Sequence, residues 1–500
     1  MKSNVTQYLE AAVDRHPNKV AFESRHRSIT FRNVQDEAKN IAANIQRLTS
    51  NKVNSPVAVY LPKSVDSIVC FIAAAYSGNF YAPLDISVPT PKLMTIFNIL
   101  EPIIVLTDKS GATTLDKLDL PYHCLDISDT NTDDRYAEVN SIDTDPLYVK
   151  FTSGSTGVPK GVLISHKAVI DYTEWLADTF RFSENTIFGN QAPFYFDNSI
   201  LDIYSTLRNC SKMIIIPEEN FLLPSKLLSY VIEKDINTIF WVPTALMMVA
   251  NTDALVRNTP SKLKQILFCG EVMPCKHLNV WIKSIPDALY ANLYGPTEIT
   301  DVCTYYIINR RFKDSDVLPI GKPCANTRVI ILNEQNEQVT GTDIGELCVI
   351  GTCLSIGYYN DFKKTDEVFV QNPLVKQYYE KIYRTGDLVH YNEFGELMFD
   401  GRKDYQIKHL GYRIELGEIE AVALSHDGIK QCCVLYDQKE QKLILVASPD
   451  SIDKKQLYQH LKKHLSNYML PASIELMDAL PLNQNGKIDR LILKQSLIME

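Results

Sequence analysis

The stretch Phe151-Thr-Ser-Gly-Ser-Thr-Gly-Val-Pro-Lys-Gly161 combines hydroxyl side chains with glycines and carries a lysine near its end. Glycine lets a backbone bend close to a bulky anion, and Ser and Thr hydroxyls with exposed N–H groups hydrogen-bond phosphate oxygens. The common phosphate loop places Lys directly after its second Gly, whereas two residues separate Gly157 from Lys160 here. The stretch therefore predicts a phosphate loop of a different kind, one that holds a triphosphate.

The same stretch could be a flexible linker, because Ser- and Gly-rich linkers are frequent. Its flanks argue against that interpretation. Leu147-Tyr-Val-Lys-Phe151 and Val162-Leu-Ile164 are typical of strands on either side of a tight turn. We therefore expect the loop to join two strands.

Composition narrows the class of protein. A chain of 500 residues with 45% apolar content suits about two to four structural units with large cores. A net charge of −9 leaves no basic stripe for nucleic acid. Because no signal peptide and no run of ~18 apolar residues is present, we expect a cytoplasmic protein without a membrane span. Eleven cysteines without a Cys-x-x-Cys pair predict reduced, mostly buried thiols.

Strand-like and helix-length segments alternate through the first 300 residues, which predicts an α/β fold of layered subdomains with largely parallel sheets. From about residue 320 to 399 shorter strands with turn signals indicate a β-rich subdomain. Individual expectations are strands at Val57–Leu61, Tyr81–Leu84 and Lys442–Ala447, and helices at Asp66–Tyr76 and Lys454–Leu465.

Gly401-Arg-Lys-Asp404 is the best candidate for a domain boundary. The residues that follow it have the right number and pattern for a small α+β domain. We therefore predict two domains, residues 1–400 and residues 401–500.

A second motif, Asn292-Leu-Tyr-Gly-Pro-Thr-Glu298, contains a Gly-Pro turn signal. Tyr294 offers a ring for stacking, and Glu298 offers a hard oxygen that suits Mg²⁺ beside phosphates. Taken alone, Tyr-Gly-Pro would be only a surface turn.

Two further motifs place charged residues after a glycine. Asp387 in Tyr383-Arg-Thr-Gly-Asp-Leu388 could accept both ribose hydroxyls, although such an Asp is more often a turn residue or helix cap. Lys487 follows the turn signal Asn485-Gly486, where a lysine is usually solvated.

In their order along the chain, these motifs resemble those of the adenylate-forming enzymes: acyl-CoA synthetases, luciferases and adenylation domains of nonribosomal peptide synthesis. The resemblance covers nearly the whole chain. It implies a mobile C-terminal lid that swings between two reaction steps, with ATP and Mg²⁺ as cofactors. Phe268-Cys-Gly-Glu271 and the chain length further resemble the freestanding D-alanine–D-alanyl carrier protein ligases.

The resemblance assigns roles residue by residue. Lys487 is the catalytic lysine, which bridges the substrate carboxylate and the α-phosphate. Glu298 binds the metal, Asp404 is the hinge between the domains, and Gly411 lines the channel for a thiol arm. The residues assigned to ATP or AMP are Thr152, Ser153, Gly154, Ser155, Thr156, Gly157, Lys160, Asn292, Tyr294, Gly295, Thr297, Asp387 and Arg402.

Asp197 in Phe194-Tyr-Phe-Asp-Asn-Ser199 bears on the substrate. Amino-acid-activating members of the family place an Asp against the α-ammonium, and an ion pair in a partly dry pocket is a strong physical reason for that carboxylate. A helix N-cap is the alternative role. The substrate-pocket residues carried over from the family are Asp197, Asn198, Leu201, Phe240, Leu267, Cys269, Leu293, Asp301 and Val302.

Phe240 and the leucines would crowd this pocket and favour alanine, glycine or serine. Asp301 departs from the apolar residue of an alanine pocket and could bind a hydroxyl or an amine, so serine or a small amino-bearing side chain stays open. The expected activity joins a small amino acid to AMP and transfers it to the phosphopantetheine thiol of a separate carrier protein.

Two alternatives stay open. An acyl-CoA ligase for a small organic acid would not need the Asp197 carboxylate. A catalytically silent protein of the same fold would be expected to lack Lys487, Glu298 or the phosphate loop, and all three are present.

Overall fold

The computed structural model describes residues 2–130, 135–154, 158–404, 406–482 and 488–498. The chain forms two compact units. The first contains Met1–Ile86, Glu101–Lys150 and Gly161–Gly401, and the second contains Ser87–Leu100, Phe151–Lys160 and Arg402–Glu500. No helix among the described residues is both long enough and apolar enough to cross a bilayer.

The helices of the described residues are, in chain order, α1 (Thr6–Arg15), α2 (Phe31–Leu48), α3 (Val65–Tyr76), α4 (Thr90–Leu100), α5 (Lys109–Asp116), α6 (His166–Phe180), α7 (Ser199–Asn209), α8 (Pro224–Glu233), α9 (Pro243–Ala250), α10 (Ala254–Arg257), α11 (Cys275–Ser284), α12 (Phe362–Val368), α13 (Leu416–Leu424), α14 (Lys454–His464) and α15 (Arg490–Leu497).

The strands are, in chain order, β1 (Val20–Glu23), β2 (Ser28–Thr30), β3 (Pro56–Tyr60), β4 (Phe80–Pro83), β5 (Ile104–Thr107), β6 (Cys124–Asp126), β7 (Pro146–Thr152), β8 (Lys160–Ser165), β9 (Ile187–Asn190), β10 (Lys212–Ile215), β11 (Thr238–Trp241), β12 (Gln265–Cys269), β13 (Leu289–Tyr294), β14 (Thr304–Ile307), β15 (Lys322–Pro323), β16 (Thr327–Leu332), β17 (Gly345–Gly351), β18 (Gly357–Tyr358), β19 (Phe369–Gln371), β20 (Lys381–Tyr391), β21 (Leu397–Arg402), β22 (Gln406–His409), β23 (Tyr412–Glu415), β24 (Gln431–Asp437), β25 (Lys442–Ser448) and β26 (Ser473–Leu476).

Two large sheets form the centre of the α/β region. One has the order β15-β14-β13-β12-β11-β9-β10-β1-β2, and the other has the order β18-β8-β7-β4-β3-β5-β6. In the first sheet, neighbouring strands pair in parallel along the order β1-β10-β9-β11-β12-β13. In the second sheet, they pair in parallel along the order β4-β3-β5-β6. Helices such as α3, in which every residue except Asp66 is buried, separate and cover these strands. The predicted layered α/β fold with largely parallel sheets is confirmed.

The β-rich subdomain predicted for residues 320–399 contains the sheet β16-β17-β20-β19, with β21 also paired to β20. Its strands are not uniformly short, because β20 alone has 11 residues. Pairing between β17 and β20 shifts register around Gly386, whose φ is +73°. This irregularity is a bulge that lets a long strand change the direction of its side chains.

The second unit contains the sheet β24-β25-β26 and the hairpin β22–β23. Alternate residues of β24 enter two different cores. Cys432 and Val434 join the core that includes Leu457 and Leu461 of α14, whereas Cys433 joins the core on the other face. The small α+β region therefore buries both faces of its central sheet.

Cysteine burial follows the expectation from the sequence. Ten of the eleven cysteines are buried and Cys124 is half-buried. Burial raises the pKa of several of these thiols, for example that of Cys353 to about 11. Buried thiols of this kind behave as small apolar core residues.

Candidate active site

The predicted phosphate loop joins β7 to β8. Gly154 is buried there, and a Cβ on this residue would lie 2.0 Å from the carbonyl oxygen of Val158. Only glycine therefore allows the two sides of the loop to approach this closely. The loop residues that lie outside the described part of the chain are Ser155, Thr156 and Gly157.

The flanking loop residues carry a hydroxyl donor and a cation. The Ser153 hydroxyl donates to the carbonyl oxygen of Arg413 at 2.6 Å, and Lys160 Nζ lies 3.6 Å from Glu415 Oε1. Thr152 Oγ1 lies 3.5 Å from the carbonyl oxygen of Lys160. Hydroxyl groups and a cation around a glycine turn are the chemistry that phosphate oxygens require.

The segment from residue 291 to 300 is buried throughout, so it is not a surface turn. Asn292 lies on β13, and its Nδ2 donates to the carbonyl oxygen of Pro319 at 2.8 Å. Tyr294 ends the same strand, and its hydroxyl donates to Asp387 Oδ2. The ring assigned to adenine and the carboxylate assigned to ribose, 93 residues apart in sequence, are thus in direct contact.

Asp387 lies within strand β20 and is buried, so it is neither a turn residue nor a helix cap. The bulge at Gly386 orients it, and its own N–H donates to Thr385 Oγ1 at 3.0 Å. Local backbone irregularity therefore places this carboxylate beside Tyr294.

Glu298 is fully buried, and the Tyr358 hydroxyl donates to its Oε1 at 2.7 Å. Thr297, beside it, is buried as well. A Cβ on Gly295 would lie 2.4 Å from the carbonyl oxygen of Asp301, so that position also requires glycine. The segment therefore holds a carboxylate in a fixed orientation.

In the second unit, Arg402, which is assigned to the nucleotide, pairs with Asp404, which is assigned as the hinge. Arg402 Nε donates to Asp404 Oδ1 at 2.6 Å, and Arg402 Nη2 donates to Oδ2 at 2.8 Å. Burial acts to raise the pKa of Asp404, but hydrogen bonds from Arg402 and its charge outweigh burial and lower the pKa overall. Gly411, with φ of +81°, forms the two-residue turn of the β22–β23 hairpin together with Leu410.

The structure brings the apolar pocket residues predicted from sequence into one core. Phe240 on β11 is the register partner of Leu267 on β12, and Cys269 is the partner of Leu293 on β13. These neighbours lie on one face of the parallel sheet. The predicted residues that share this hydrophobic core are Leu201, Phe240, Leu267, Cys269, Leu293 and Val302.

Asp197 and Asn198 precede α7, which begins at Ser199. No side chain caps this helix, since Asn198 occupies the N-cap position without a capping bond. Within the described part of the chain, Asp197 Oδ1 accepts a hydrogen bond from the neighbouring Asn198 N–H at 3.1 Å and from no other group. Asn198 Nδ2 is buried and has no partner among the described residues. The alternative role of Asp197 as a helix cap is therefore wrong.

Asp301 is buried, and the Tyr172 hydroxyl donates to its Oδ2 at 2.6 Å. Its φ is +73° and that of Thr300 is +61°, an uncommon backbone conformation for residues other than glycine. Burial raises the pKa of Asp301 well above its usual value, and the charge of Asp197 raises it further. The two carboxylates therefore interact electrostatically.

Comparison with known proteins identifies the family. The profile of the AMP-binding enzymes matches residues 9–359, and that of the AMP-binding enzyme C-terminal domain matches residues 418–487. The chain belongs to the AMP-binding enzyme family. Enzymes of this family use ATP with Mg²⁺.

Two relatives match over nearly their whole length. Zwittermicin A synthase ZmaJ of Bacillus cereus is 30% identical over 99% of this chain and 95% of its own. The L-proline–[L-prolyl-carrier protein] ligase of Streptomyces coelicolor is 31% identical over 92% of this chain and 91% of its own. Surfactin synthase subunit 3 of Bacillus subtilis is 30% identical over 98% of this chain, which spans 38% of that larger protein. The chain is thus related to adenylation domains of nonribosomal peptide synthesis.

Solved structures agree on the fold. Holo-PA1221, a protein with adenylation and carrier domains, has a TM-score of 0.85 at 24% identity and covers 100% of this chain and 85% of its own. The Vibrio cholerae adenylation domain AlmE has a TM-score of 0.85 at 21% identity, covering 100% and 98%. The large α/β region with a smaller α+β region is therefore the fold of an adenylation domain.

The residues of this AMP-binding enzyme fit the ATP and Mg²⁺ that its family uses. Glu298 is a hard oxygen donor, as Mg²⁺ prefers, and it is oriented by the Tyr358 hydroxyl. Tyr294 and Asp387 present an aromatic ring and a carboxylate side by side. Mg²⁺ bound there would neutralise phosphate charge.

Sequence reasoning missed three side chains of this AMP-binding enzyme. Tyr172 and Tyr358 are the hydroxyl donors to Asp301 and Glu298, and no local motif marks them. The third, Lys150 on β7, is fully buried. A signal for it was present, because a lysine interrupts the apolar run of a strand that precedes the phosphate loop.

Proposed function

We propose that this enzyme activates a small amino acid of the alanine, glycine or serine class as aminoacyl-AMP, with release of pyrophosphate. It then transfers the aminoacyl group to the phosphopantetheine thiol of a separate carrier protein. The environment of Asp197 is the observation that supports this proposal. Its carboxylate is half-buried, does not cap α7, and lies directly before the helix that supplies Leu201 to the apolar core.

An α-ammonium group needs such a carboxylate. Transfer of an ammonium into a partly dry pocket is costly unless a charged partner accepts its hydrogen bonds. An organic acid without an amine would leave Asp197 unpaired. The crowding by Phe240 and Leu267 favours a short side chain, and the partnerless Asn198 Nδ2 favours the hydroxyl of serine within this class.

We also propose roles for the residues assigned to the nucleotide. We assign the triphosphate to the loop around Gly154 and Lys160, adenine to Tyr294, ribose to Asp387, and Mg²⁺ to Glu298. We assign Asn292, Gly295 and Thr297 to the nucleotide as well, and also Arg402, which pairs with Asp404 within the second unit. Fixed dipoles and charges at these positions would supply most of the rate enhancement, since such transfers depend on positioning and charge neutralisation.

We assign residues 1–400 to an adenylation core and residues 401–500 to a lid that carries the catalytic Lys487. Support comes from the second compact unit, which includes Arg402–Glu500, and from the C-terminal profile match. Lys487 lies outside the described residues, but its loop has anchored flanks: Leu482 bridges to Ile488, and the Asp489 N–H donates to the Pro481 carbonyl at 2.8 Å. We assign Gly411 to the channel for the thiol arm.

A separate carrier is favoured by the relatives of similar length. The L-proline–[L-prolyl-carrier protein] ligase is named for transfer to a carrier protein, and this chain covers 91% of it.

Asp197→Asn tests the proposed amine recognition, because it removes the charge and keeps the shape. Amino-acid-dependent ATP–pyrophosphate exchange should fall about 30-fold or more, as expected when one partner of a buried charge pair is lost. Asp178→Asn is the matched control, since Asp178 is exposed on α6.

The comparison uses matched acids, such as alanine with propionate and serine with 3-hydroxypropionate. The proposal requires that Asp197→Asn lose exchange with the amino acids while Asp178→Asn keeps it. Wild-type exchange with propionate or 3-hydroxypropionate alone, unchanged by Asp197→Asn, would instead show an acyl-CoA ligase.

A further inference from the structure

Lys150 is a fully buried lysine that contacts the segment containing Asp197 and Asn198, two of the residues assigned to the amino acid. It is 1% exposed. Its Nζ donates to the carbonyl oxygen of Phe196 and, at 2.9 Å, to Ser199 Oγ. These two acceptors lie on either side of Asp197 and Asn198. The lysine therefore holds the segment that presents the proposed ammonium-binding carboxylate.

Two carboxylates act on the charge of Lys150. Burial lowers the pKa of Lys150 to about 7, and the charges of Asp197 and Asp301 act in the opposite direction. Tyr148, two residues earlier on the same face of β7, places its ring centroid 5.1 Å from Lys150 Nζ. A ring face at this distance favours the ammonium form.

Lys150 and Asp301 carry opposite charges when both are ionised, and the charge of each acts on the other. If the lysine is protonated and Asp301 is ionised, the two charges cancel; if the proton resides on Asp301 instead, both groups are neutral. With one proton shared between the two groups, their combined charge is therefore zero. Asp202, which also acts on Asp301, accepts a hydrogen bond from Asn190 Nδ2 at 2.8 Å. We therefore assign the α-ammonium of the amino acid to Asp197.

We infer that Lys150 is a specificity-determining residue that restricts the enzyme to amino acids with an uncharged side chain. The inference rests on the proposed function, because it assumes that Asp197 binds an α-ammonium. Asp301 alone is compatible with serine and with a small side chain that carries an amine, and the inference favours serine. A side-chain amine finds no unbalanced carboxylate here, since Lys150 already compensates Asp301, and a buried charge without a partner is strongly unfavourable.

Lys150→Met removes the ammonium and keeps most of the volume. Asp301 then loses its cation, and a side-chain amine of the substrate can take that place. Three amino acids of similar size probe the change by ATP–pyrophosphate exchange, each in both configurations: serine, 2,3-diaminopropionate and aspartate. We expect the wild-type enzyme to prefer serine over 2,3-diaminopropionate by about 100-fold in kcat/KM. In Lys150→Met this preference should shrink by at least about tenfold.

The ratio of two substrates separates specificity from structure. A purely structural role of Lys150 would lower exchange with serine and 2,3-diaminopropionate by the same factor. Lys63→Met is the matched control, because Lys63 Nζ also donates to backbone carbonyls, those of Gln191 at 2.8 Å and Asn190 at 3.4 Å. It should leave the ratio unchanged.

Asp301→Asn provides a second test if Lys150→Met does not fold. It leaves the Lys150 ammonium uncompensated, so kcat/KM for aspartate relative to serine should rise by at least about tenfold. An unchanged ratio in every active variant would overturn the proposed role of Lys150 and leave the proposed function intact. No exchange with any amino acid in the wild-type enzyme would refute the proposed function, and this inference with it.

Discussion

Gly154→Ala tests whether the loop between β7 and β8 holds the triphosphate. An added Cβ would lie 2.0 Å from the carbonyl oxygen of Val158 and 3.2 Å from its carbonyl carbon. Ordinary contact begins at 3.4 Å, so the two sides of the loop must separate by about 1.4 Å. The obstacle is backbone, which cannot move aside as a flexible side chain would.

Displacement of this size predicts the magnitude of the kinetic effect. Misplacement of a binding group by about 1 Å can cost about 100-fold in rate. We therefore expect kcat/KM for ATP in the exchange assay to fall about 100-fold in Gly154→Ala. The melting temperature should change little by comparison, because the substitution lies in a loop.

Gly428→Ala is the matched control in the same unit. Its Cβ would meet nothing closer than His426 Nδ1 at 3.4 Å, an ordinary contact. We expect this variant to stay within about twofold of wild type. If Gly154→Ala also stays within about twofold, the loop does not hold the triphosphate in the way that its geometry indicates.

Two further predictions concern single contacts. Tyr358→Phe removes the hydroxyl that orients Glu298, so half-maximal exchange should require about tenfold more Mg²⁺; an unchanged Mg²⁺ titration would contradict the metal assignment. Burial lowers the pKa of His166 to about 3, so the unfolded state binds the proton first and stability should fall as pH drops from about 6.5 towards 3. In denaturant unfolding, the free energy of unfolding of His166→Gln should therefore fall less steeply with decreasing pH than that of the wild type, by up to about 1.4 kcal/mol per pH unit. Equal pH slopes for the two proteins would contradict this prediction.

Much of the fold could be predicted from local sequence. The expected strand Val57–Leu61 corresponds to β3, Pro56–Tyr60, and the expected strand Lys442–Ala447 corresponds to β25, Lys442–Ser448. The expected helix Lys454–Leu465 corresponds to α14, which Asp453 caps. Apolar runs, helix periodicity and capping residues are local properties, so a single sequence contains them.

The strand lengths of the β-rich region were less predictable. An 11-residue strand, β20, passes through Gly386 by means of a bulge. Glycine usually signals a turn, and only pairing with β17 makes it part of a strand here. That pairing is a tertiary property.

The same distinction applies to the site. Single motifs indicated Tyr294 and Asp387 separately, but not their hydrogen bond, which joins two strands of different sheets. The burial of Lys150 was not predicted, because a lysine within a strand normally points to solvent. Its burial follows from the carbonyl of Phe196 and the hydroxyl of Ser199, which come from a different part of the chain.

We propose above that this enzyme forms an aminoacyl-AMP. Trapping with hydroxylamine tests it most directly, because the trapped hydroxamate reveals which acid was activated. Wild-type enzyme would be incubated with ATP, Mg²⁺, hydroxylamine and a mixture of small D- and L-amino acids with their amine-free analogues, and the products identified by mass. We predict the hydroxamate of one small, uncharged amino acid. Hydroxamates of amine-free acids alone would contradict the account.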